Sequence, residues 1–142
     1  MVGARSLSVD VMEVLDCVAF LLVDGDRFLV ERRRRDKTVD PGAVAIPGGH
    51  LEPGESPVQA LHRELAEELG LTTPDPQYFC TLLNPSEELR KLYYYAVHSW
   101  SGEIQNNEAE ELLWLPLNDL QDLDLAVDQV AIGEYLRVVR IS

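Results

Sequence analysis

Cysteine is scarce in this 142-residue chain: Cys17 and Cys80 stand alone in apolar stretches, without the paired spacing that a zinc site or a secreted disulfide framework requires. Two reduced thiols in a cytoplasmic protein are the expectation. Long apolar runs are missing too. The longest, from Cys17 to Val23, is far too short to cross a bilayer, and no basic segment of the signal-peptide kind precedes it at the extreme N-terminus. Neither a membrane span nor a secretion signal is expected. Positive charge is short as well, with 12 lysines and arginines against 25 aspartates and glutamates and a net charge of −13. A surface of that sign repels phosphate backbones, which argues against a binder of polymeric nucleic acid. A small anionic substrate stays admissible where a bound divalent cation neutralises it locally. Repeats and low-complexity tracts are absent. What remains is an ordinary globular composition, 46% hydrophobic and 26% charged, enough for one core and one domain over residues 1–142. Residues 1–10 have no apolar periodicity and read as a flexible arm or an added strand.

The β-branched and apolar run from Val14 to Val23, the turn Asp24-Gly25-Asp26 and the run Arg27 to Arg33 predict a hairpin. Asp36 to Gly42 reads as a loop, Ala43 to Ile46 as a short strand, and Pro47-Gly48-Gly49 as a turn. Residues 56–69 predict a helix whose ends are set locally. Ser56 is a good N-cap, Pro57 suits the first helical position, Gln59 completes a capping box and Gly70 can close the helix in a left-handed conformation. At 100° per residue, Val58, Leu61, Leu65 and Leu69 fall within about 80° of one another, a stripe expected to be buried. Further strands are expected over Gln77–Leu83, Lys91–Trp100 and Leu112–Leu115. A second helix is expected over Asp124–Val139, with Val127, Val130, Ala131 and Val139 as core candidates. Strands flanked by two amphipathic helices imply a three-layer α/β/α arrangement with a mixed sheet.

On the first helix Glu64, Glu67 and Glu68 lie at i, i+3 and i+4, within an arc of about 100°. Like charges so placed repel, so the arrangement favours a cation between them, and magnesium or manganese suits carboxylate oxygens best. The surrounding segment Gly49–Leu71, GHLEPGESPVQALHRELAEELGL, matches the pattern G-x5-E-x7-R-E-U-x-E-E-x-G-U at every specified position, U being a bulky aliphatic residue. Nine such matches arise by chance with a probability of about 10⁻⁷ in a chain of this length. The sequence resembles the Nudix hydrolases, and the resemblance runs beyond this box to the preceding hairpin, the PGG segment and the downstream strands.

The resemblance implies a mixed-sheet α/β/α sandwich with the box helix on one face. It also implies metal-dependent hydrolysis of a nucleoside diphosphate linked to another group, first a nucleoside triphosphate cut to the monophosphate and pyrophosphate. Mg2+, or Mn2+ in its place, would be held by Glu64, Glu67 and Glu68 with the Gly49 carbonyl, while Glu55 and Arg63 would support the box through an ion pair. Glu64, Glu68 and a loop glutamate are the candidate proton acceptors. Among Glu108, Glu110 and Glu111, the resemblance favours Glu108. In the run Arg32–Arg35, strand alternation would point Arg33 and Arg35 one way, and the resemblance favours Arg33 for substrate phosphate.

His50 reads as a loop histidine that does not bind metal. Tyr93, Tyr94 and Tyr95 read first as ordinary strand core and surface, with at least one of them able to stack on a base. Val44 stands where relatives that sanitise oxidised nucleotides carry tryptophan, and Val127 or Asp128 lies near their base-reading asparagine, which points away from 8-oxo-dGTP. Pro85 keeps ADP-ribose or a nucleotide sugar as the second substrate class, and a catalytically silent nucleotide-binding module is the alternative of another kind. The apolar strands and the N-terminal arm would permit a homodimer.

Overall fold

The computed structural model describes residues 13–85 and 88–140. The expected arm at residues 1–10 lies outside them. Strands β1 (Val14–Asp24), β2 (Arg27–Arg32), β3 (Val44–Ala45) and β4 (Gly48–His50) precede helix α1 (Pro57–Leu69). They are followed by β5 (Gln77–Pro85), β6 (Leu89–Val97), β7 (Glu111–Pro116) and helix α2 (Ala126–Val138). Among the described residues the strands form one mixed seven-stranded sheet. Its main path runs β3-β2-β1-β6-β5, with β4 paired to β1 and β7 to β2. The β1–β6 pairing is parallel, from Val14 opposite Leu89 to Leu22 opposite Val97.

The hairpin exists only at its tip, where Val23 pairs with Phe28 and Asp24 with Arg27 around Gly25 at φ 63°. Beyond the tip β1 joins β6 and β4, while β2 joins β3 and β7. The sheet therefore splays, and the opening between β1 and β2 becomes available for a ligand. The expected turn at Gly48-Gly49 is instead strand β4, paired antiparallel with Cys17–Ala19. Side-chain bulk explains why glycine is needed there: a Cβ on Gly48 would overlap the Val18 carbonyl.

Each face of the sheet carries one helix, and strand alternation divides the core in two. Val18, Phe20, Leu22 and Leu29 pack under α1 with Leu61, Leu65 and Leu69. Leu21, Phe28, Val30 and Tyr94 pack under α2 with Ala131, Ile132 and Tyr135. Two expected core positions lie elsewhere. Val58 is 40% exposed, since Ala60, Leu61 and Leu65 take the buried places of α1, and Val130 is 53% exposed, since α2 turns Asp128, Ile132 and Tyr135 inward.

Candidate functional site

Capping sets α1 and hence the site. The Ser56 hydroxyl accepts from the Gln59 N–H (3.2 Å), and the Gln59 carboxamide accepts from the Ser56 N–H (2.9 Å). Gly70 ends the helix at φ 70°. The last carbonyls of a helix lack intrahelical donors, and here the loop before β7 supplies them: the Gln105 N–H binds the Leu69 carbonyl (2.9 Å) and the Asn107 N–H the Glu68 carbonyl (3.1 Å). That docking brings the following residue, Glu108, to the helix carboxylates.

Arg63 ties the box together. Its Nε and Nη2 donate to Glu55 Oε2 and Oε1 (2.7 and 2.8 Å), and Nη2 also donates to the His50 carbonyl (3.0 Å). Nη1 donates to Glu64 Oε1 (2.9 Å) and Glu67 Oε2 (3.1 Å). The guanidinium holds Glu55 down at about 2, helped by the Glu52 N–H. The Glu64 carboxylate lies directly against Gly49, where a Cβ would overlap it. Glu68 is 6% exposed and its Oε2 has no hydrogen-bond partner. Burial pushes its carboxyl up to about 10, followed by the charge of Glu31 and the hydrogen bond with Glu64.

Glu64, Glu67 and Glu68 open onto a cavity of about 610 Å³, a size that suits a small-molecule ligand. Arg33, Arg34 and Lys37 also line it, as does Glu108, whose Oε1 is 2.6 Å from Lys37 Nζ. Glu110 and Glu111 instead approach Arg35 (4.0 Å) and Arg32 (2.9 Å), outside the cavity. The alternation expected along the arginine run stops with β2 at Arg32. Arg33 turns inward, its Nε donating to the Val39 carbonyl (3.0 Å) and its side chain 20% exposed, while the Arg35 side chain is 82% exposed.

Beyond the charged rim, Ile46, Leu92, Leu125, Arg90, Asp40 and Asp128 also line the cavity. Asp128 is 3% exposed and accepts from the Ile46 N–H (3.0 Å) and the Tyr94 hydroxyl (2.7 Å); burial raises it to about 6. Arg90 Nη2 donates to Asp40 (2.8 Å). None of Tyr93, Tyr94 and Tyr95 lines the cavity, so stacking on them does not form this site. Val44 is buried, with its N–H bound to Asp124 (2.8 Å), and Pro85 at the end of β5 is away from the cavity. His50 lines the rim, with its Nε2 2.8 Å from Glu88.

Lys37, Asp40, Arg90, Leu92, Leu125 and Glu31 line the cavity without having been singled out from the sequence, and Glu31 is the most telling of them. Glu31 is 5% exposed, and burial lifts it to about 7. Its signal was a lone acid in the run FLVE, sharing strand parity with buried Leu29 rather than ending an exposed edge.

A divalent cation fits this wall. Glu68 Oε2 is an orphaned buried acceptor, the donors are all oxygens, and the backbone at Gly49 admits the Glu64 carboxylate at contact distance. Among the described residues no three acidic, imidazole or thiol groups already form a closed cage, while Arg63 occupies one oxygen each of Glu64 and Glu67.

The family profile described as NUDIX domain matches residues 14–135. The 8-oxo-dGTP diphosphatase of Escherichia coli K12 is 31% identical over 104 residues, covering 70% of this chain and 78% of that protein. The CTP pyrophosphohydrolase of the same organism is 27% identical over 132 residues, covering 92% and 97%. A crystal structure of a MutT NUDIX hydrolase from Burkholderia pseudomallei superposes with a TM-score of 0.77 at 24% identity, covering 86% of this chain and 98% of that one. No helix among the described residues is long and apolar enough to cross a membrane. With the complete box, the matched profile and these relatives together, the chain belongs to the Nudix hydrolases, enzymes that cleave pyrophosphate bonds in nucleotide-like compounds.

Proposed function

We propose that this chain hydrolyses nucleoside or deoxynucleoside triphosphates to the monophosphate and pyrophosphate, using Mg2+, with Mn2+ as a substitute. The observation that carries this reading is the mixed charge of one cavity: Glu64, Glu67 and Glu68 line it together with Arg33, Arg34 and Lys37. Such cations can hold a polyphosphate while the carboxylates hold its metal. Relatives acting on 8-oxo-dGTP and CTP support the triphosphate class.

Glu64, Glu67, Glu68 and the Gly49 carbonyl would hold the metal, which when bound neutralises phosphate charge and acidifies water. The chain's own residues supply the rest. Water oxygen forms a bond to phosphorus, the α–β phosphoanhydride P–O bond breaks, the monophosphate and pyrophosphate separate, and the water proton passes to one of the cluster carboxylates Glu64, Glu68 or Glu108. Arg33, fixed by the Val39 carbonyl, orients the phosphates. Glu55 and Arg63 keep α1 and the β4 end in register, because an error of about 1 Å can lose roughly 10²-fold in rate. Without an aromatic platform from Tyr93 to Tyr95, the base is held by Ile46, Leu92, Leu125 and the polar groups beside them.

Product-resolved hydrolysis of dNTPs, NTPs, 8-oxo-dGTP, ADP-ribose and a nucleotide sugar, with Mg2+ and beside Glu68→Gln, tests the reading. Triphosphates should turn over to monophosphate and pyrophosphate, cease to do so in EDTA, and lose about 10²-fold or more in the variant. Turnover of ADP-ribose alone would replace the substrate class. Nucleotide-dependent thermal stabilisation without any product would identify a binding module.

A further inference from the structure

Glu31 lies outside the Nudix box and has no part in the hydrolysis described above. It is nonetheless at the same wall. On β2, Leu29 and Glu31 share one strand parity, and Leu29 packs into the core beneath α1. Both Glu31 and Glu68 line the cavity, at 5% and 6% exposure. Burying an ionised carboxylate is strongly unfavourable unless cations or several donors face it. Arg33 Nη1 comes only to 3.5 Å from Glu31 Oε2, longer than a direct charge-assisted bond, and its Nε is committed to the Val39 carbonyl. Glu68 Oε2 has no partner. Of all neighbouring charges, that of Glu31 acts most strongly on Glu68. Two buried carboxylates thus line one cavity, with the Arg33 guanidinium loosely placed and the Lys37 charge near Glu31, and with Glu68 Oε2 left without a partner.

We infer that Glu31 and Glu68 together hold one divalent cation, making Glu31 a carboxylate of the metal site contributed from β2 rather than from the box helix. This rests on the hydrolase reading above, in that it places the cation at Glu68. The cation would answer both deficits at once, giving Glu68 Oε2 a partner and balancing the second buried charge. Magnesium and manganese fit such an all-oxygen site and keep water in their remaining positions.

The test is calorimetric titration of MgCl2 or MnCl2 alone into the full chain at pH 8, without nucleotide. Wild type is compared with Glu31→Gln and Glu68→Gln, and metal-free melting temperatures are measured in parallel. Glu31→Gln is expected to weaken cation binding at least tenfold, to leave the metal-free melting temperature unchanged or higher, and to shrink the rise in melting temperature on adding Mn2+. Unchanged affinity in Glu31→Gln with affinity lost in Glu68→Gln overturns the inference and leaves the hydrolase reading standing. Unchanged affinity in both variants overturns the inference together with the placement of the cation at Glu68. A lowered metal-free melting temperature and a raised KM for nucleotide, with cation affinity intact, would make Glu31 only a support for Arg33 and also overturn it. Should Glu31→Gln fail to fold, Glu31→Asp decides by the same titration and by the Mn2+ electron paramagnetic resonance signal: a several-fold weaker cation supports the inference, and wild-type affinity overturns it.

Discussion

The cavity wall that carries Glu64 and Glu68 and the wall that carries Asp128 are drawn from very different distances along the chain. Around the first, Arg63 reaches Glu55 eight residues away, Glu67 four away and its own neighbour Glu64. Around the second, Asp128 meets the Ile46 N–H across 82 residues and the Tyr94 hydroxyl across 34, and Arg90 meets Asp40 across 50. A wall built from one loop and one helix keeps its geometry wherever that segment folds. A wall assembled from β3, β6 and α2 changes whenever any one of them is altered. On the proposed reading the box carboxylates that hold the metal lie close together in sequence while the groups that meet the rest of the substrate are dispersed, which is the arrangement expected of a fold that keeps one reaction and varies its substrates.

Breaking the clamp of the first wall should have the largest effect. Arg63→Ala is expected to lower kcat roughly 10²-fold with a far-ultraviolet circular dichroism spectrum like that of wild type, because the carboxylates lose their common partner. Arg63→Lys should not restore the rate, since an ammonium cannot reproduce the two parallel bonds to Glu55. On the second wall, Asp128→Ala strands the Tyr94 hydroxyl and the Ile46 N–H. A loss of about 2 kcal/mol in urea unfolding is expected, with KM changed more than kcat. If Asp128→Ala instead lowers kcat and leaves KM alone, the two walls do not divide chemistry from recognition.

Asp128→Asn sharpens the contrast through pH. Burial raises Asp128 to about 6 from an ordinary value of 3.8, so the folded state binds the proton more tightly than the unfolded one. Its contribution to stability is complete below pH 3.8 and is lost as pH rises through about 6. The stability difference between wild type and Asp128→Asn should therefore move against wild type across that interval and stay flat above it, as followed by thermal melts at a series of pH values. The smallest effect is expected from Ser56→Ala, which removes one capping bond and should cost about 1 kcal/mol of stability with kcat unchanged.

The helix from 57 to 69, its cap at Ser56 and its end at Gly70 were legible because all three signals are local. So was the convergence of Glu64, Glu67 and Glu68, which helical spacing alone imposes. The resemblance favoured Glu108 over Glu110 and Glu111 where no local spacing did, and the loop bonded to the carbonyls of Leu69 and Glu68 supplies the physical reason that it lines the cavity. The arginine run misled for a related reason: alternation holds only while a strand lasts, and β2 ends at Arg32. Val58 and Val130 fit their helical stripes, yet which face of a helix is covered depends on what packs against it and not on the helix alone.

By itself the sequence determined the reaction type, the family, the box helix and the acidic face it presents, since each follows from residue spacings of at most a few helical turns. Only the tertiary structure decided that the hairpin splays, that Gly48 and Gly49 form a strand against β1, that Glu31 joins the carboxylates, and that Asp128 rather than a tyrosine lines the cavity. Those outcomes depend on which distant strands pair and what they bury, and pairing energy is shared among side chains that no local pattern brings together.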